Sequence, residues 1–357
     1  VRKSLRYGLS VLMLLPAVPA FAQPRARVSV DSVTAIDFFK GQGDTERPDA
    51  SVDIGLSIRL SDGWLAYVRP WFFQSAQGSD WDKEIYQAAL QYQHAGRVET
   101  RVDLGYIASP IGLGMLDMRA DINPTIRPHL SYFVPLMPFD RGTPSVGPIA
   151  SSYPLGAQLS ASTARWDARA ALVNSTPTRK FALNADTPNP RATPAVIAGG
   201  GFTPRAGLRV GLAGAMGHYA TAQEVSSVFA GDRRLTMWSI EGEYAVGYTK
   251  FAAEWTREQF AAGASRDTAA TWFLQGAQTL SPRWFVAARH EGTSAPPFGG
   301  AATRGPRLTF KTVEAAVGFR VSPELTVRGS LFASKFYTRA EYDQQAGVSL
   351  VWSRRWW

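Results

Sequence analysis

The chain contains no cysteine, which excludes a disulfide framework, a thiolate metal site and a cysteine nucleophile. It has 4 histidines in 357 residues. These are His94, His129, His218 and His290, scattered without the spacing of a metal site or the neighbours of a nucleophile motif. The one arrangement resembling a hydrolase would bring His218 and His290 toward Glu291 or Asp232 at one rim. Without a fuller constellation the chain reads as a non-enzyme with no cofactor and no metal. Long hydrophobic runs are also missing. No stretch beyond the leader approaches the roughly 20 apolar residues of a membrane helix, and mean hydropathy is slightly negative. That excludes a helical membrane protein and leaves open one that crosses with alternating strands, whose hydropathy averages out. Runs of one charge sign are absent as well. The formal net charge of +9 comes from Lys and Arg placed mostly singly, with no nucleic-acid motif, so nucleic acid is not a partner.

The first residues have the form of an export leader. Arg2, Lys3 and Arg6 make a positive start, Leu9 to Val18 a short apolar core, and Ala20-Phe21-Ala22 a small-residue cleavage site. The expectation is a signal peptide over 1–22 and a mature chain from Gln23. An exported protein also suits the lack of cysteine.

Beyond the leader the dominant pattern is period two. Val52 to Leu60 reads V-D-I-G-L-S-I-R-L, placing Val52, Ile54, Leu56, Ile58 and Leu60 on one side of an extended chain and Asp53, Gly55, Ser57 and Arg59 on the other. About sixteen such segments cover residues 23–357 between turn signals. Apolar sets recur on one face, as in Val98, Val102, Leu104 and Tyr106, or Leu208, Val210 and Leu212, or Leu325, Val327 and Leu331. Trp64 to Phe73 is apolar on both faces and resists assignment.

The connections alternate in length. Ser61-Asp62-Gly63, Ala95-Gly96-Arg97, Ala164-Arg165-Trp166, Pro204-Arg205, Gly247-Tyr248-Thr249, Ser281-Pro282 and Val321-Ser322-Pro323 can each close a hairpin. Between them lie longer stretches, among them Lys40 to Ser51, Ser175 to Pro194, Gly217 to Arg234 and Gly292 to Arg307, with Ala261 to Thr268 intermediate. The longest is Pro110 to Ser152. Short turns on one rim and long loops on the other are the asymmetry of a transmembrane barrel. Trp64, Trp166, Trp284, Trp356 and Trp357 fall on the turn rim, where amphipathic rings favour a membrane-water boundary. The expectation is an all-β, single-domain, transmembrane antiparallel β-barrel with both termini on the turn side.

The leader, the strand pattern with alternating loops and the terminal aromatic Trp357 together resemble bacterial outer-membrane porins. Gly105-Tyr106-Ile107-Ala108-Ser109-Pro110-Ile111-Gly112 resembles the G-x-x-x-x-P-x-G segment of phosphate-selective O/P-type porins. The resemblance implies an outer-membrane location in a Gram-negative bacterium and a water-filled channel for small hydrophilic solutes or ions. It implies that Trp357 is an assembly signal read by the barrel-assembly machinery, although it stands one residue out of phase with Val348, Leu350, Trp352 and Trp356. The lipid bilayer and lipopolysaccharide become partners, and a homotrimer is compatible. It also implies that Pro110 to Ser152 folds into the lumen as a constriction loop.

The candidate constriction residues are then Arg119, Asp121, Arg127, His129, Asp140 and Arg141. Facing them, the candidate channel wall comprises Asp53, Arg59, Glu99, Arg101, Asp103, Arg169, Arg209, Glu241, Glu243, Lys250, Glu254, Arg289, Glu314 and Arg328. Opposed charges in a pore set ion preference. Alternatively Arg127 and Arg141 pair with wall carboxylates such as Glu99 or Asp103 and merely fix the loop. The wall mixes signs almost evenly, which withholds phosphate selectivity, and the positive balance favours anions only weakly. A non-conducting barrel with an adhesion or structural role is the competing reading.

Overall fold

The computed structural model describes residues 27–41, 48–75, 80–113, 118–129, 153–179, 183, 191–221, 224, 233–262, 265–297, 306–336 and 339–356. The leader at 1–22, Asp140, Arg141, Asp232 and Trp357 lie outside them. The alternating segments form strands β1 (Arg27–Gly41), β2 (Asp49–Arg59), β3 (Trp64–Gln74), β4 (Asp82–His94), β5 (Glu99–Tyr106), β6 (Leu155–Ser162), β7 (Trp166–Val173) and β8 (Ala195–Arg205). They continue as β9 (Leu208–Ala220), β10 (Arg233–Val246), β11 (Thr249–Ala262), β12 (Ser265–Thr279), β13 (Trp284–Ala295), β14 (Leu308–Arg320), β15 (Leu325–Phe336) and β16 (Asp343–Arg355). Each pairs antiparallel with its sequence neighbours, and β1 pairs with β16, so the sheet is a closed sixteen-stranded barrel. Closure leaves no strand edge exposed, which is the condition for a sheet to sit in hydrocarbon.

Register assigns the faces. Asp53, opposite Val33 and Trp71, is buried inside, which turns Val52, Ile54, Leu56 and Ile58 outward. The same parity leaves Leu159, Leu212, Ile240, Leu331 and Leu350 exposed on the outer surface, Leu331 by 70%. Removing one such side chain from water is worth about 1.5–3 kcal/mol, so a belt of them left in water would cost on the order of tens of kcal/mol. Trp64, Trp166, Trp284 and Trp356 stand exposed at the turn end of this belt. Register also resolves the doubly apolar strand β3. Tyr67, Arg69, Trp71 and Phe73 face inward, and Trp64, Ala66, Val68 and Phe72 face out.

The tight hairpins fall where turn residues stand, with two corrections. The β8–β9 turn is Ala206-Gly207 and not Pro204-Arg205, because Gly207 supplies the positive φ of +83°. Pro204 sits where the register breaks between Phe202 and Arg205, a place where its missing N–H costs no ladder bond. The intermediate connection expected at Ala261 to Thr268 shrinks to residues 263–264, because β11 and β12 pair out to Ala262 opposite Ser265.

Two features of the loop-side half escape a period-two reading. Val173, Ile197, Leu235, Met237 and Phe260 face inward yet are apolar, and they bury against Ile107, Ile111 and Tyr153 from the long β5–β6 connection. The wall is also low at β5 to β7, which have 8 residues each. The β4 edge beyond Ala88 has no β5 partner, and Leu183 of the β7–β8 connection exchanges two backbone hydrogen bonds with Ile85 there.

Candidate functional site

The site begins where β5 stops. Gly105 and Gly112 of the G-x-x-x-x-P-x-G segment both have positive φ, +133° and +99°, so the motif's glycines serve to turn the backbone out of the wall. A Cβ on Gly105 would lie 2.4 Å from the Ala88 carbonyl oxygen on β4. The chain then meets inward side chains in sequence. Arg169 of β7 donates to the Pro110 carbonyl, and the Leu113 amide donates to the buried Glu254 carboxylate of β11.

Residues 118–129 cross to the other wall. The Arg328 guanidinium of β15 donates to the carbonyls of Ala120, Asn123 and Thr125 at 3.0, 2.8 and 2.6 Å, and to Ser349 Oγ at 2.9 Å. Glu314 of β14 accepts the amides of Ile126 and Arg127 at 2.9 and 3.2 Å. Arg289 of β13 donates to the Arg127 and Pro128 carbonyls and pairs with Glu314 at 3.2 Å. His129 lies 3.6 Å from Glu291 and packs on the Phe273 ring, both partners fully buried. Asn123 closes the turn from within, accepting from the Thr125 amide and donating to the Arg127 carbonyl. Charges of both signs thus hold backbone, the usual way an irregular buried segment satisfies its polar groups.

Accessible charge is concentrated elsewhere on the inner wall. Arg69 bridges Asp31 and Asp53, with Tyr86 joining Arg69 and Asp53. Arg119 extends the group by pairing with Asp31 and Asp121. Arg101 pairs with Asp103, Arg209 with Asp167 and Glu241, Arg169 with Glu241, and Lys250 with Glu243. In most of these the cation is the more open partner. Side-chain exposures are 46% for Arg101 against 2% for Asp103, and 57% for Lys250 against 28% for Glu243. Gly55 and Gly201 leave room for Arg69 and Arg209, since a Cβ at either would fall 2.5 Å from a guanidinium nitrogen.

Among the sequence candidates, Arg119 and Asp121 join the accessible group. Arg127 and His129 do not; they are held against β12 to β16 and β1. Arg127 stacks 3.8 Å from the Phe39 ring centroid and donates to Gln345, so the pairing with Glu99 or Asp103 is replaced by partners on the opposite wall. Glu99 receives Gln93 instead. Arg59 faces inward at the turn end of β2, opposite Leu65. Of the hydrolase arrangement, His290 and Glu291 do not meet, and Asp232 lies outside the described residues. His290 points outward against Trp272, whereas Glu291 points inward. Among the described residues no group of three or more His, Asp or Glu side chains is placed to hold a metal ion. Sequence reasoning missed Asp31, Arg69 and Tyr86, and it set Glu291 at the rim and not beside His129. Arg69 was hidden in the doubly apolar β3 run.

At the loop rim, Glu224 ties the β7–β8 and β9–β10 connections. It accepts from Arg179, from the Arg191 amide and from the Thr221 amide. Burial alone would raise its pKa, but the amides of Thr221 and Arg191 and the Arg179 charge outweigh it and hold the carboxyl below the ordinary glutamate value.

No protein-family model and no curated protein matches the chain. Solved structures do match. A loop L8 deletion mutant of OmpT, an outer-membrane protein of Vibrio cholerae, aligns with 92% of this chain and 99% of its own at a TM-score of 0.59 and 10% identity. Salmonella typhi OmpF, in complex with daunomycin, aligns with 92% and 97% at 0.59 and 11% identity. An anion-selective porin from Comamonas acidovorans aligns with 93% and 100% at 0.56 and 10% identity. The chain has the fold of these outer-membrane barrels.

Proposed function

We propose that this protein is an outer-membrane porin of a Gram-negative bacterium, exported by the leader at 1–22 and forming a passive channel for small hydrophilic solutes through residues 23–357. What supports the reading is the division of the closed barrel into an apolar outer belt and a charged interior, against which residues 107–113 and 118–129 are held. The segment occupies the lumen, sealing Arg289, Glu291, Glu314 and Arg328 to 2% exposure or less, and the passage runs past the accessible group of Arg69, Arg101, Arg119, Arg169, Arg209 and Lys250. Because the cations there stand more open than most of their acidic partners, the channel favours anions weakly. Lipopolysaccharide, the barrel-assembly machinery reading Trp357 and a homotrimer belong to the same reading. The reading is of a channel and not of an enzyme.

The test is reconstitution into planar bilayers under a salt gradient. Discrete conductance steps with a reversal potential on the anion side are expected, and a cation-side potential would sink the selectivity. The sealed wall of β13 to β15 favours the second reading, a non-conducting barrel with an adhesion or structural role. Insertion without steps would establish it in place of the channel.

A further inference from the structure

Apolar side chains on the inner face are of two kinds. Val173, Ile197, Leu235, Met237 and Phe260 pack with Ile107, Ile111 and Tyr153 and are 3% exposed or less. Trp71 and Phe73 of β3 also face inward, opposite Asp53 and Ser51 of β2. They are only half-buried, and among the described residues neither joins an apolar cluster. Ring surface left open to water forgoes about 25 cal/mol for each Å², so an uncovered pair inside the barrel calls for something to cover it. The two rings stack on one another, with centroids 5.2 Å apart and planes 9° apart. Tyr67 is inward on the same strand, its hydroxyl beside Arg101 and Asp103. Tyr86 of β4 stands between these levels, bonded to Arg69 and Asp53. Rings thus recur along the lumen wall from Tyr67 to Phe73, about 20 Å at strand spacing.

The polar groups interleaved with these rings are mostly paired charges. Arg101 and Asp103, at 2.7 Å, flank Tyr67, and Arg69 lies next to Trp71, bridging Asp31 at 3.0 Å and Asp53 at 2.5 Å. Pairing cancels much of the field that would hold an ion, yet donors and acceptors remain. Arg69 uses four of its N–H groups on Tyr86, Asp31 and Asp53 and keeps a fifth to offer. Ser51 and Asp82, opposite Phe73 on its two sides, make no side-chain hydrogen bond among the described residues. Open aromatic faces alternating with groups that both donate and accept match a pyranose. Its C–H hydrogens pack on the negative face of an aromatic ring, and its hydroxyls both give and take hydrogen bonds around the rim.

We infer that the inner face of β3 and its neighbours is a carbohydrate track. Trp71, Phe73 and Tyr67 meet the pyranose faces, and Arg69, Ser51 and Asp82 take the hydroxyls. A linear oligosaccharide is held along the wall while it passes, ring against ring. The track rests on the channel reading and names a solute class for that channel.

Planar-bilayer recordings of the full barrel test it, with conductance scored first without sugar and linear glucans of increasing length then added. Wild-type current should be blocked in a concentration-dependent way, with the half-blocking concentration falling as the glucan lengthens. Trp71→Ala should raise that concentration about tenfold, the worth of one good aromatic contact. Trp71→Phe, which keeps a ring, should raise it less. Phe73→Leu should weaken the block, whereas Phe72→Leu, the neighbouring change on the outward face, should leave it as in wild type. Conducting channels that no glucan blocks, or that glucans block equally in wild type and Trp71→Ala, would overturn the track. Block by choline in place of glucan would also overturn it, in favour of a cation site built from the rings with Asp82 and Glu84. Steps that are insensitive to glucan refute the track alone, and barrels that insert without steps refute the channel reading beneath it.

Discussion

Arg328→Ala should release the internal segment without opening the barrel. The guanidinium is 2% exposed, and its Nη1, with two hydrogens, serves three carbonyls of residues 120–125, so one of these bonds is shared. A hydrogen bond to a charged group contributes about 1.5–3 kcal/mol, and two effective bonds at the lower half of that range give about 3–4 kcal/mol for the contact. Each 1.4 kcal/mol is a tenfold change in an equilibrium, so the detached population should rise about 100- to 1,000-fold. The ladder partners of Arg328 are Gly318 and Ser349 backbone, which the substitution leaves in place. Since the chain has no cysteine, Thr125→Cys provides one clean reporter at a position with 0% exposure. Maleimide modification of that thiol in the folded barrel should accelerate by the same factor when Arg328→Ala is added, and open-channel noise should grow. A rate changed by less than about threefold would show that Arg328 does not secure the segment. Arg328→Lys, keeping the charge with a single nitrogen, should fall between.

Other expectations are more local. Arg101→Gln should lower the anion-to-cation permeability ratio in reversal-potential measurements, because it removes the more exposed member of the Arg101–Asp103 pair, whereas Arg289→Gln, sealed away from the passage, should leave the ratio unchanged. Gly105→Ala combines a positive φ with a 2.4 Å contact to the Ala88 carbonyl and should destabilise the barrel by about 1–3 kcal/mol, read as a lower denaturation midpoint in detergent. Glu224 has a depressed folded pKa. Its contribution is therefore fully present above the unfolded glutamate value of about 4.3 and lost as pH falls through the lower folded value. Glu224→Gln should flatten the acid limb of a melting-temperature profile relative to wild type.

The architecture was legible because period two is imposed by the strand itself. Val52 to Leu60 read correctly for the same reason as Leu208 to Leu212, since each has lipid-side apolars and inner polars. The reading weakened where interior contacts replaced water. Val173, Ile197 and Met237 are apolar on the inner face because Ile107 and Ile111 cover them, and nothing in a strand's own spacing announces a partner from another part of the chain. The same distance defeated the partner assignment of Arg127. Its charge pointed to a wall carboxylate, but which wall it reaches depends on the turn closed by Asn123. Arg69 was lost in an aromatic run, although the inward parity of Trp71 and Phe73 could have revealed it. Gly105 and Gly112 were read as a family mark, and their φ angles give that mark a mechanical reason.

The seam between β1 and β16 joins residue 31 to residue 355, and the Trp356 amide donates to the Val30 carbonyl at its end. The ring cannot close until β1 and β16 are both present, so this pairing carries a far greater sequence separation than any other in the sheet and is slow to find. A chain truncated before β16 would be left with two unpaired edges, which hydrocarbon penalises by several kcal/mol for each unmet backbone group. Membrane entry is therefore coupled to completion. An unfinished chain stays in water as a sticky intermediate and does not become a leaky pore.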